Sequence, residues 1–121
     1  AKELYNREDY LVAAIMFQRA ADVMEDGLEY SPEPEKTSVS LRNAFYFAGV
    51  CYSKCAIAQF NRGLTEESCI CLQEAMSKFN RALYYGETEN LKKAESTCLR
   101  NLEKIKAKIS ITDEDKKDDT E

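Results

Sequence analysis

An all-helical fold is the class this sequence predicts, and three observations predict it. The breakers are few and clustered: of four Gly and two Pro, both Pro fall in the stretch Ser31-Pro32-Glu33-Pro34. Ala, Leu, Glu and Lys, all good helix formers, fill much of the rest. Apolar residues recur at three- and four-residue steps on either side of that stretch, and no segment alternates every second residue between turn signals as a strand would. A chain of 121 residues, 44% apolar, can bury one real core without metal or disulfide support. The expectation is one helical domain over residues 1–111, followed by an acidic disordered tail over 112–121. The tail expectation rests on six acids and two lysines after Thr112 with no apolar residue among them.

The first helix carries Tyr10, Ala13, Ala14, Phe17, Ala20, Ala21, Met24 and Leu28 on one stripe. Asp9 suits its N-cap, with residues 1–6 ending a preceding helix; the alternative is one unbroken helix from Lys2. Two prolines flanking Glu33 then interrupt the chain over 30–36, because proline lacks the N–H and restricts the residue before it. Thr37 or Ser38 suits the next N-cap. The second helix presents Leu41, Phe45, Ala48, Tyr52 and Cys55/Ala56, and ends near Gly63, where glycine supplies a left-handed cap. Thr65 restarts a helix with Glu66 and Glu67 in its first turn, where the helix dipole favours acids. Its stripe is Leu72, Ala75, Met76, Phe79, Ala82 and Leu83, closed by Gly86. Thr88 caps a last helix with Leu91, Ala94, Cys98, Leu102, Ile105 and Ile109. Short connections between long helices place neighbours antiparallel.

Two stretches share the spacing Ala-x3-Phe-x2-Ala: Ala13, Phe17, Ala20 and Ala75, Phe79, Ala82. That spacing resembles the second helix of a tetratricopeptide repeat. Phe45, Ala48, Gly49 and Tyr52 resemble the aromatic, small, small and aromatic positions of the family's first helix. The resemblance covers about half the chain, and the two helices are longer than the family's: 22 residues lie between Tyr52 and Ala75, where the repeat has about eight. It implies a stack of helical hairpins that binds other proteins. An up-and-down four-helix bundle also accommodates these stripes. Some members of the family hold a peptide's terminal carboxylate with a Lys, Asn and Arg clamp. Here Tyr46 and Phe47 stand where a clamp Asn is wanted, so the clamp does not carry over.

Candidate chemistry is sparse. His is absent, which removes the commonest general base, the commonest metal ligand and the ordinary pH switch. The chain therefore lacks the Glu-x-x-His pairs of di-metal bundles and the Arg-plus-His set of small helical ribonucleases. Five cysteines is an odd number without a C-x2-C knuckle, which favours reduced, structural thiols and a cytoplasmic setting. Adjacent acids such as Glu66-Glu67 diverge on a helix, and the scattered glycines form no phosphate-cradling loop. No catalytic residue, metal site or cofactor is expected, and the chain is read as a non-enzyme.

Two surfaces remain. Tyr46, Phe47 and Val50 lie off the inward stripe of the second helix, and aromatics on two faces of one helix mark either a second packing layer or an interface. Lys92, Arg100, Lys104 and Lys108 give the last helix a basic face, with Arg100, Lys104 and Lys108 as a like-charge row at four-residue steps. The reading is a protein-interaction module, scaffold or adaptor, whose partner is another protein or its own copy. The alternative is an RNA- or nucleic-acid-associated protein using the basic helix. A net charge of −5 opposes general nucleic-acid binding, and no apolar run reaches membrane-spanning length.

Overall fold

The computed structural model describes the backbone of residues 7–119 and the side chains of residues 9–109. Four α-helices follow one another: α1 (Arg7–Gly27), α2 (Pro34–Asn61), α3 (Thr65–Tyr85) and α4 (Glu89–Asp119), with a 3-10 turn at Leu28–Tyr30. No strand occurs among the described residues. The all-helical class stands.

Element boundaries follow local chemistry, with corrections near helix starts. Asp9 lies inside α1, which already includes Arg7, so it is not the cap; residues 1–6 lie outside the described residues. The break shrinks to residues 31–33 because Pro34 opens α2 instead of blocking it. Proline suits the first helical position, where its missing N–H has no intrahelical partner to lose. Glu33, not Thr37 or Ser38, takes the N-cap of α2; Thr37 lies inside the first turn, where its N–H donates to the Glu33 carbonyl at 3.1 Å and its hydroxyl meets that of Ser31 at 2.7 Å. Leu64, one residue earlier than Thr65, takes the N-cap of α3. α4 runs from Glu89 through Asp119. Three expected ends are found: Gly63 is left-handed at φ +81° after α2, Gly86 takes the C-cap of α3, and the Thr88 hydroxyl accepts from the Leu91 N–H at 3.1 Å.

The core sits between α2 and its two neighbours. Phe45, Phe79, Leu41, Leu72 and Leu91 are fully buried, each side chain stabilising the fold by about 1.5–3 kcal/mol. Gly49 sets the closest approach of α2 to α3. A Cβ there would lie 2.5 Å from the Phe79 ring, so the small and aromatic positions of the repeat-like motif meet across the interface. Near the far end of this interface Ser68 donates to the Ala56 carbonyl at 2.8 Å, and the Cys71 thiol reaches Cys55 Sγ at 3.8 Å.

The helices pack in series and antiparallel. α1 lies on α2, α2 on α3 and α3 on α4, while α2 and α4 touch over a short stretch. Among the described residues α1 and α4 form no packed interface. A long-range tie joins α1 to α3: Glu25 of α1 accepts hydrogen bonds from Arg81 and Tyr85 of α3. Arg81 also lies 4.8 Å from the centre of the Phe45 ring, over which Tyr85 stacks.

Candidate functional site

Serial packing leaves α2 and α4 flanking α3 with space between them. The groove consists of two adjoining hollows. The first, about 370 Å³, takes Tyr46, Val50, Ser53, Lys54 and Ile57 from α2 and Phe79 from α3. From α4 it takes Asn90, Lys93, Ala94, Thr97, Cys98 and Asn101. The second, about 250 Å³, is walled by Ala56, Ile57 and Phe60 of α2, by Ser68 and Leu72 of α3, and by Asn101, Lys104 and Ile105 of α4. Ile57 and Asn101 belong to both, so the hollows form one continuous cleft. The floor is apolar and the rim is amide, hydroxyl and ammonium. No carboxylate lines either hollow.

The three aromatic-patch residues part company. Tyr46 and Val50 line the groove, where the Tyr46 ring lies 6.1 Å from that of Phe79. Phe47 points toward α1, with its ring 5.6 Å from Phe17, and stays 46% exposed. Tyr46 and Phe47 remain in edge contact at 5.4 Å. An apolar surface therefore continues from the groove across Phe47 to Phe17 of α1, which is 37% exposed.

The basic-face residues also divide. Lys104 lines the second hollow. Lys92 lies away from the groove lining and pairs with Glu87 at 3.1 Å. Lys108 sits over the Phe60 ring at 4.7 Å, an attraction that offsets the like-charge spacing. Arg100 is exposed and does not line the groove. Lys93, which the like-charge row omits, does line it, and also meets Glu89 at 3.6 Å. Ile57 is the residue most legible in retrospect, seven positions after Val50 on the same face of α2. The α4 lining had no such signal, since Asn90, Thr97 and Asn101 read simply as a polar face.

The thiols have the character of packing groups. All five are free; Cys55, Cys71 and Cys98 are buried and Cys51 and Cys69 are half-buried. Burial pushes the Cys98 thiol up, against a smaller opposing effect of the Ser53 hydroxyl. Burial likewise raises Cys51, with Lys54 opposing. A thiol kept protonated is a poor nucleophile and a poor metal ligand. Among the described residues no group of three or more Cys, Asp or Glu is placed to hold a metal ion. No helix among them is long and apolar enough to cross a membrane.

Set against protein families, curated proteins and solved structures, the chain gives no match.

Proposed function

We propose that this chain is a non-enzymatic protein-interaction module, a small scaffold or adaptor of the cytoplasm, that binds its partner in the α2–α4 groove. One observation carries the reading: an open cleft with an apolar floor and a polar rim, continuous with exposed aromatics on α2 and α1. Exposed apolar surface rimmed by polar groups is the kind of surface at which folded proteins associate. The serial packing supports a tetratricopeptide-like hairpin stack over an up-and-down bundle, whose first and last helices pair to close the ring. The contact between Gly49 and Phe79 supports it further. Five free cysteines fit a reducing compartment. The rival reading, nucleic-acid binding through α4, has less support, because Lys92 and Lys93 already meet acids and Lys108 covers Phe60.

The test is Ile57→Asp, which puts a charge at the junction of the two hollows. Ile57 is 52% exposed, so the variant is expected to keep its helix content and melting behaviour. Wild-type protein on a resin should retain a defined partner from its source cell, and the variant should lose it. Equal retention by both would remove the groove as the binding site.

A further inference from the structure

The α2–α3 interface brings two thiols together. Cys55 of α2 is fully buried, Cys71 of α3 is 8% exposed, and their sulfurs lie 3.8 Å apart although the residues are sixteen positions apart in sequence. A thiol is a weak hydrogen-bond donor, so packing holds the pair together more than the S–H contact does. The helices approach closely here because the flanking side chains are small. Ala48 and Ala56 on α2 and Ser68 and Ala75 on α3 are all buried. Ser68 reaches the Ala56 carbonyl directly at 2.8 Å, so beside the two cysteines the α2 backbone lies within reach of one hydroxymethyl group on α3.

The other thiols are placed differently. Cys51 and Cys55 stand four apart on α2, where Cβ atoms are about 5–6 Å from each other, beyond the roughly 3.5–4.5 Å that a disulfide requires. Cys69 and Cys71 point to different sides of α3. The Cys98 thiol donates to the Leu72 carbonyl at 3.5 Å. For Cys55 and Cys71 the sulfurs need only close from 3.8 Å to about 2.05 Å, a movement that rotations about the two Cα–Cβ bonds can share. We propose that Cys55 and Cys71 are a reversible disulfide site, closed by a peroxide and reopened by a dithiol, whose bond staples α2 to α3. Cys71, the thiol with some surface, reacts first. Its sulfur takes OH from hydrogen peroxide, and the thiol proton leaves with the other oxygen as water, giving a sulfenic acid. Cys55 then attacks that sulfur, the S–OH bond breaks, and its oxygen leaves as a second water with the Cys55 proton. The two sulfurs give up two electrons and one peroxide becomes two waters. Because Cys55 is already in contact, the second step is intramolecular and outpaces attack by another peroxide. In a reducing compartment the pair stays a dithiol, so the bond forms only when oxidant rises. Ala56 and Leu72, the sequence neighbours of the pair, wall the second hollow, so the staple fixes the α2 and α3 sides of the groove to each other.

Treatment of the folded full chain with a slight excess of hydrogen peroxide tests the proposal. Thiols counted in denaturant should fall from the five of the free chain by two. Cleavage after Lys and Arg separates fragment 55–62, which holds Cys55 alone, from fragment 63–78, which holds Cys69 and Cys71. These two fragments should be joined in the mass spectrum, and sequencing of the joined species should place the link on Cys71. The denaturant midpoint should rise, because the cross-link restricts the unfolded chain, and should return when a dithiol reductant is added. Cys69→Ala should still lose two thiols, whereas Cys71→Ala should form no intramolecular link. The fragment map of the wild-type chain decides the matter independently if a variant misfolds.

Five thiols persisting under peroxide that oxidises free cysteine would overturn the proposal, as would a link between two copies or a link through Cys51, Cys69 or Cys98. Sulfinic acid at Cys71 beside an unchanged Cys55 would also overturn it, since the neighbouring thiol then failed to attack. An oxidised chain that unfolds at the same denaturant concentration as the reduced one would overturn it too, because such a bond staples nothing.

Discussion

Gly49 is the residue on which the α2–α3 interface turns. With a Cβ 2.5 Å from a fully buried Phe79 ring, Gly49→Ala must push the two helices apart or move the ring. The expected loss is about 1–3 kcal/mol, an overpacking cost, measured by denaturant titration. Phe79→Leu in the same chain should recover part of it; a strictly additive pair would show that ring and glycine are not coupled. Phe47 makes the opposite case. Since it is 46% exposed, Phe47→Asp should leave the protein folded, weaken the contact with Phe17 and reduce association in sedimentation or pull-down. Unfolding would make Phe47 a core residue. The inward residues of α2 were legible from spacing alone: Leu41, Phe45, Ala48, Tyr52, Cys55 and Ala56 are all buried. Those of α1 were legible only in part. Ala14 and Ala21 are fully buried, yet Phe17 stays 37% exposed. Periodicity reveals a stripe, but not whether one neighbour or two will cover it, and α1 packs chiefly on α2.

Between elements, the cluster that ties α1 to α3 has a defined pH dependence. The Arg81 guanidinium, and then the Tyr85 hydroxyl, hold the Glu25 carboxyl below its ordinary value. A carboxyl whose folded value is depressed stabilises the fold above its unfolded value, and the effect is lost as pH falls through the folded one. The stability gap between wild type and Glu25→Gln should therefore be full near neutrality and close in acid, below the usual glutamate range. A gap that is constant with pH would mean that the carboxylate charge contributes nothing. Burial and the same carboxylate push Tyr85 up to about 12, so its contribution holds below the ordinary phenol range and fades as alkali approaches that value. At the caps, Thr88→Ala removes the acceptor for the Leu91 N–H and should cost about 1 kcal/mol. The caps that sequence located well, Gly63 and Thr88, are those where one residue type performs one backbone task. The start of α2 was misplaced because proline both ends and begins helices, and only the chain on either side decides which.

For the whole molecule, serial packing predicts graded stability. Since α2 packs against both α1 and α3, amide exchange should be slowest in α2 and α3 and faster in α1 and α4. Equal protection of α4 and α2 would mean that the four helices unfold as one unit. The order of packing could not be read beforehand. Helical stripes name the faces that must be covered and leave open which helix covers them, so a closed bundle and an open series look alike in sequence. The groove shared that fate: its α2 wall was half visible in Tyr46 and Val50, but its α4 wall existed only once α3 had set the spacing.

That same open series has a mechanical consequence. A closed bundle resists tension as a single body, whereas helices joined one after another form a train of couplings of unequal strength. Under a pull applied to its two ends, α4 should peel away from α3 first, because that interface is the smaller of the two made by α3. The groove would vanish with that first step, while the α2–α3 pair still held. A ligand spanning the cleft would clamp α2 to α4 and so should raise the force needed for that step, leaving the later steps unchanged.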